Sequence, residues 1–475
     1  MPLRRNALLT LGGQWGKYAL QIGTFVVLAR LLTPSDYGVF NMALAFTGLV
    51  AVVGDFGLSL SALRERTLSE AEKSGLFWLN AAIGIVLAII MYALATPIAA
   101  FYGDERVMPI VQIIGACFVV SGLTVQYKVE FMRQDRFGAL ALIEVVSQAL
   151  AFGIAIAMAV NGFGYWALVA QSVLGYVFLL LVLVSTARWR PGLAVKGTRW
   201  KHHLTFGSNT FTLQIVNYVS TNVDTAMLGS QVGAAAVGLY SRAFQIVRLP
   251  LQQLVAPLTK VVLTDLSRIA SSDEKAFRLE KLHRLLAISL VPLLALLAGT
   301  ADPGISLIFG HQWAGAAVVV QVLAIGGAFQ AIGYVYYWAF VAEGKTGALL
   351  LAELPGRVVM IGLVVIWAQL GIVAVAWAYV IGQALVLAGS SLVAASRLNL
   401  KTRTVWSSSV LGISIGALIF VLTLCANFVS QQQEFGALAK FSIQIVSVAL
   451  PLGVVLTANR SLRSKLIALL GGVRK

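Results

Sequence analysis

Cysteine is almost missing from this chain. The two residues present, Cys117 and Cys425, both lie in apolar stretches, which excludes a disulfide framework and a cysteine-based metal site. Charge is scarce too, at 11% of 475 residues against 59% hydrophobic, with a mean hydropathy of +0.86. That balance excludes a water-soluble domain. There are four histidines. His202, His203 and His283 sit in segments expected to be basic and cytoplasmic, His311 sits in an outer loop, and no pair has metal-ligand spacing. Despite 44 glycines, no GxxxxGK[ST] motif occurs, so ATP hydrolysis is not expected. The two-residue alternation of a transmembrane barrel is absent, and the loops are too short to hold a soluble catalytic domain. No catalytic residues, metal or cofactor are expected, and the chain is not read as an enzyme.

What is present is a series of apolar stretches of about twenty residues, each long enough at ~1.5 Å per residue to cross a ~30 Å hydrocarbon core. Backbone polar groups in lipid must be paired within the segment, so the stretches are expected to be helices. Fourteen spans are expected, starting near residues 7, 38, 75, 107, 138, 164, 204, 236, 285, 314, 345, 371, 405 and 437. The expected fold is an all-α polytopic membrane protein. At the start, MPLRRNALLTLGG resembles a signal sequence, but Gln14, Trp15 and Lys17 interrupt its apolar run, so it reads as a retained first helix.

The net charge of +16 invites a nucleic-acid reading, and its distribution argues against one. Alternate loops and the tail carry nearly all the cations, among them Arg64, Arg66, Lys73, Lys128, Arg133, Arg188, Arg199, Lys275, Arg278, Arg397, Arg403 and Arg460. The opposite loops hold Arg30, Arg106 and Lys440. This is the positive-inside pattern, and it predicts both termini in the cytoplasm of a multi-pass protein with no nucleic-acid partner.

The basic segment RWRPGLAVKGTRWKHH at 188–203 divides the chain, and the residues after it echo the start. LTLGG at 9–13 is answered by LTFGS at 204–208, LQI recurs at 20–22 and 213–215, and GVFNMA at 38–43 resembles GLYSRA at 238–243. The expected organisation is a six-helix bundle at 1–187, the linker at 188–203, a second six-helix bundle at 204–397, and two further helices with a basic tail at 398–475. An even number of spans between the copies relates them by an axis along the membrane normal, with a central cavity between the bundles.

Polar residues inside spans are costly, and here they fall into stripes. In the first span Gln14, Lys17, Gln21 and Thr24 share one helix face; in the seventh, Thr210, Gln214, Asn217, Thr221 and Asp224 do. Ser241, Gln245, Arg248 and Gln252, with Arg242 beside them, repeat the pattern in the eighth, while Asn41, Gly48 and Asp55 align in the second. Two readings stand: a hydrated cavity lined by these groups, or hydrogen bonds that glue neighbouring helices. The charges favour the cavity, because a buried charge needs water or a close partner. Glu353 and Arg357, four apart, can be explained by a local ion pair. Glu144 is a lone carboxylate in its span, either a proton site or partnered. Arg30 and Arg64 at helix ends can snorkel.

WGKYALQIGTFVVLARLLTPSDYGVFNMA at 15–43 and DFGL at 55–58 resemble the opening of the Wzx-type polysaccharide and O-antigen flippases, a branch of the multidrug/oligosaccharidyl-lipid/polysaccharide exporter superfamily. NVDTAMLG at 222–229, VGLYSRAFQIVRLPLQQL at 237–254 and LIFGHQW at 307–313 resemble later landmarks of that family, and the colanic-acid exporters are the most similar branch. The resemblance implies two six-helix bundles, often with two added helices, that alternate access to a central cavity. It also implies a bacterial inner-membrane location and a substrate made of an oligosaccharide linked through pyrophosphate to undecaprenol. On that reading Lys17, Arg242, Arg248 and Arg357 meet the pyrophosphate, and Gln14, Gln21, Asn41, Gln214, Asn217 and Gln245 meet sugar hydroxyls. Asp55, Asp224 and Glu144 are the candidates for ion coupling. Expected partners are the lipid-linked substrate, membrane lipids and other membrane proteins of polysaccharide assembly. The alternatives are a drug or cation exporter of the same superfamily, disfavoured by the cations in the stripes, and a membrane enzyme of polysaccharide assembly.

Overall fold

A computed structural model of the chain describes residues 16, 20–54, 69–192, 208–269, 271–398, 400, 402–431 and 436–458. Gln14, Lys17, Asp55 and Arg64 lie outside these residues, as do His202 and His203. Thirteen long helices and one shorter one, α1, run through the described residues: α1 (Leu20–Leu31), α2 (Pro34–Gly54), α3 (Glu70–Tyr102), α4 (Val107–Arg133), α5 (Phe137–Val160), α6 (Trp166–Thr186), α7 (Ser208–Gln231), α8 (Ala234–Arg268), α9 (Ser272–Gly299), α10 (Ala316–Ala342), α11 (Thr346–Trp367), α12 (Ile372–Leu398), α13 (Thr402–Gln431) and α14 (Ala437–Ala458). A short helix, Ala301–Ile308, precedes α10. Ten of the helices are long and apolar enough to cross a bilayer. Ile89, Leu142 and Leu392 are each more than 60% exposed, the outward apolar surface of a lipid-facing helix.

Local chemistry sets the helix ends. Thr33 caps α2: the backbone N–H and hydroxyl of Thr33 donate to Asp36 Oδ2 at 2.9 and 2.6 Å, and the Asp36 N–H donates back to Thr33 Oγ1 at 3.2 Å. Pro34, with no N–H to lose, opens the first turn, so the TPSD string is a helix start in full. Ser69 and Glu72 form the matching capping box of α3. That helix ends at Gly103, whose φ of +64° a side chain would disfavour. The helix α9 begins at Ser272 rather than near residue 285. Ser271 caps it, and the charged but helix-favouring residues 273–284 continue it past the apolar stretch. The shift moves His283 from the expected cytoplasmic surface into the interior, where it is 0% exposed.

The chain divides into two compact units, Met1–Gly238 and Leu239–Lys475. In the first, α3 and α4 pack along their length. A Cβ on Gly84 would strike the Phe118 carbonyl and one on Gly122 the Asn80 carbonyl, so these glycines bring the two backbones together. Phe77, Tyr127 and Trp189 form an edge-to-face cluster at 5.5–6.0 Å between centroids. The start of the basic segment docks there: Trp78 Nε1 donates to the Gly192 carbonyl and the Gly192 N–H to Ser74 Oγ, each at 2.9 Å. Within the same unit, Gly38 meets the Ala234 carbonyl and Gly238 meets the Pro34 carbonyl, a reciprocal contact between matching places of the GVFNMA and GLYSRA strings.

In the second unit α9 packs on α10 and α13, and α12 packs on α10 and α11. Leu251, Val255, Leu286, Leu290, Val335 and Trp338 make its main apolar core. Gly310, at φ +100°, turns the chain into a single 3₁₀ turn that buries Trp313, which accounts for the FGHQW string.

Candidate functional site

The second unit carries a polar cluster on its spanning helices. Arg248 of α8 is half-buried, with its guanidinium carbon 5.8 Å from the Phe244 ring centre. On α11, Arg357 Nη2 and Nε donate to Glu353 Oε2 at 2.7 and 3.1 Å. Tyr334 of α10 lies within electrostatic reach of Arg248, Glu353 and Arg357 together, and of Tyr337, whose ring is edge-on to it at 6.4 Å. Two cations far apart in sequence therefore both come within electrostatic reach of Tyr334, and one of them, Arg357, is held by a carboxylate. The local charge is net positive. A half-buried guanidinium pair in low dielectric favours a multivalent anion such as a phosphate ester. Arg242 and Gln245 sit one turn apart, Nη1 to Oε1 at 3.0 Å.

The other expected site residues fall in the first unit. Gln21 is exposed on α1 and Asn41 is half-buried on α2. Asp224 is buried on α7, with its Oδ1 accepting from the Thr225 N–H at 2.7 Å. Gln214 and Asn217 lie on α7 as expected by their backbone. Glu144 is not a lone carboxylate: Lys128 of α4 stands 3.2 Å from it, so an interhelical ion pair accounts for its presence in α5. A second pair, unexpected from the sequence, lies near one end of the unit. Lys73 Nζ is 3.2 Å from the Glu130 carboxylate, and Gln134 Nε2 donates to the same group at 2.8 Å.

Three inter-helix loops of the first unit meet in a polar clamp. Arg106 grips Asp104 with Nε at 2.9 Å and Nη2 at 2.7 Å and reaches Ser35 Oγ at 3.4 Å, while Asp36 Oδ1 accepts from the Tyr165 N–H at 2.9 Å. The guanidinium holds the Asp104 carboxyl below its ordinary value of 3.8. Arg106, one of the few cations in its set of loops, is a structural residue. Among the described residues no group of three or more His, Cys, Asp or Glu side chains could hold a metal ion.

Sequence reasoning missed Tyr334 and Tyr337. The YVYYW run at 334–338, five residues with four aromatics inside an apolar span, was the available signal.

The fold is that of a many-helix membrane protein, with ten helices among the described residues long and apolar enough to cross a bilayer. The structure aligns with the lipid II flippase MurJ in its inward closed conformation at a TM-score of 0.71, with 15% identity, covering 93% of this chain and 97% of that one. The chain belongs to the polysaccharide biosynthesis protein family, whose profile matches residues 27–318. TuaB, a teichuronic acid biosynthesis protein of Bacillus subtilis (strain 168), is 26% identical over 468 residues, 94% of each chain. WzxC, a lipopolysaccharide biosynthesis protein of Escherichia coli (strain K12), is 25% identical over 346 residues, 70% of this chain and 69% of WzxC. The resemblance to Wzx-type exporters is borne out.

Proposed function

We propose that the protein is a flippase that carries an undecaprenyl-pyrophosphate-linked oligosaccharide from the cytoplasmic to the periplasmic leaflet of the bacterial inner membrane. One observation carries the reading: Arg248 and Arg357, on two apolar spanning helices, both lie within electrostatic reach of Tyr334, in a chain of a polysaccharide biosynthesis family. A diphosphate needs such a pair to leave water, and the Glu353 carboxylate fixes the Arg357 fork while limiting the net charge, so that the anion can be released. Transport of this kind makes and breaks no covalent bond and uses no cofactor. The basic loops and both termini face the cytoplasm, and the repeat-related halves, parted by the 188–203 segment, rock between two openings. Lys17, Arg242 and the amides Gln14, Gln21, Asn41, Gln214, Asn217 and Gln245 complete the headgroup contacts. Asp55 and Asp224 remain the carboxylates to examine for ion coupling, since Glu144 is engaged by Lys128. Other membrane proteins of polysaccharide assembly would receive the product.

The test is translocation of a fluorescent lipid-linked oligosaccharide by purified protein in liposomes. A charge-assisted hydrogen bond of about 1.5–3 kcal/mol predicts a loss of roughly 10- to 150-fold for Arg248→Ala and for Arg357→Ala. Wild-type rates in both variants would remove the role assigned to this cluster, and no translocation by the wild type would remove the flippase reading.

A further inference from the structure

Within the first unit α2, α3, α4 and α6 line a cavity of about 440 Å³. No charged side chain lines it. Most of the wall is apolar, with Ile83, Ile114 and Phe118 prominent, and the closely packed Gly84 and Gly122 take up little room on it. Five residues with polar hydroxyl or amide groups also line it: Thr47, whose hydroxyl donates to the Ala43 carbonyl at 3.1 Å, and Asn80, Ser121, Ser172 and Tyr176. Asn80 commits its Nδ2 to the Leu76 carbonyl at 2.9 Å, and no group donates to its Oδ1. Among the described residues the hydroxyls of Ser121, Ser172 and Tyr176 form no hydrogen bonds at all. One carboxamide oxygen and three hydroxyls thus share a single concave space among spanning helices with their bonding capacity unspent.

That lining selects its ligand. A pyrophosphate is excluded, because nothing in the wall compensates an anion removed from water. A prenyl or acyl chain fits the apolar wall but would strip water from four polar groups and give no bond in return. A neutral polyhydroxylated ring satisfies both, with its C–H face on Ile114 or Phe118 and its hydroxyls on Asn80, Ser121 and Ser172. The volume lies in the ~300–1,000 Å³ range of small-ligand pockets and leaves room for roughly one or two sugar rings. We infer that this cavity is a glycan subsite that binds neutral sugar residues by their hydroxyls. The inference rests on the flippase reading and assigns sugar recognition to the first unit, apart from the diphosphate-holding arginines of the second.

Cys117 lines the same cavity and reports on it. In full-length Cys425→Ser protein in liposomes, Cys117 is the sole thiol, and its alkylation by N-ethylmaleimide is followed by mass spectrometry. Three additions are compared: lipid-linked oligosaccharide from the source cells, the oligosaccharide released from it by mild acid, and undecaprenyl phosphate. The inference expects at least a threefold slowing by the first two and none by the third, with the protection lost in Asn80→Leu and in Ser121→Ala. Equal protection by undecaprenyl phosphate would make this a prenyl-chain groove and overturn the inference. So would an unchanged rate in all arms, the result for a merely water-filled space, or a thiol that never reacts. If Arg248→Ala blocks translocation while Cys117 stays unprotected, the flippase reading stands and the glycan subsite falls. Wild-type protein that does not translocate removes the flippase reading whatever Cys117 reports.

Discussion

Replacing Lys73 by Met should destabilise the protein much more than a surface charge would. Lys73 bridges two carboxylates, Glu70 at 2.9 Å and Glu130 at 3.2 Å, which differ in setting. The Glu70 side chain is 72% exposed, so that contact contributes at most about 0.5 kcal/mol. Glu130 is 9% exposed and Lys73 itself 13%, so the second pair is largely removed from water. At an effective dielectric near 20 the attraction at this distance is about 5 kcal/mol, most of it cancelled by the cost of desolvating both ions. Removing Lys73 leaves that cost for Glu130 without the attraction. Breaking buried pairs costs ~3–5 kcal/mol, and the Gln134 amide at 2.8 Å keeps the loss near the lower figure, about 3 kcal/mol. Glu130→Gln should cost less, about 1.5 kcal/mol, because Lys73 can turn to Glu70 and solvent. The double variant, neutral at both places, should also lose about 1.5 kcal/mol, which gives a coupling of about 3 kcal/mol. Equilibrium unfolding in mixed micelles titrated with dodecyl sulfate, read by tryptophan fluorescence, measures all four proteins. Additive losses, with a coupling under about 0.5 kcal/mol, would refute the claim that this pair is a buried unit.

Acid should release the loop clamp. Because the folded Asp104 carboxyl titrates below its ordinary 3.8, its stabilisation is complete above about pH 5 and is lost as pH falls through the folded value. The gap in melting temperature between wild type and Asp104→Asn should therefore narrow as pH falls below 3.8; a gap that stays unchanged down to the lowest pH at which the protein remains folded contradicts the clamp. His283 is fully buried, with both ring nitrogens unpartnered among the described residues and its ring 6.4 Å from Tyr336. His283→Leu should keep or raise the melting temperature, by an amount equivalent to about 1 kcal/mol, since it removes a desolvated polar ring. A drop of several degrees would mean that the ring is bonded within the native protein.

Much of the fold was legible because the bilayer imposes a simple rule. Apolar stretches of spanning length must be helices, and twelve of the expected starts find a long helix within a few residues, while the start near residue 7 lies outside the described residues. The exception, α9, extends beyond the apolar stretch through residues 273–284, where helix propensity and a serine cap act without help from hydropathy. The site was legible in type but not in partnership. Arg248 and Arg357 stood out as costly charges in spans, yet no spacing between positions 248, 334 and 357 predicts that both come within electrostatic reach of Tyr334. Glu144 looked solitary because Lys128 sits on a different helix.

The sequence alone determined the helical, many-spanning character of the protein, the uneven placement of its basic loops and the resemblance to polysaccharide exporters. Each of these follows from the cost of taking a single group into lipid, a property of one residue or one segment. Only the tertiary structure decided which polar groups are spent on one another, as in Lys73–Glu130, Lys128–Glu144 and Asp104–Arg106, and which remain gathered round a cavity, as Asn80, Ser121 and Ser172 do. Pairing depends on distances between helices, and those distances are set by packing across the bundle, down to glycines such as Gly84 and Gly122 that let two backbones touch.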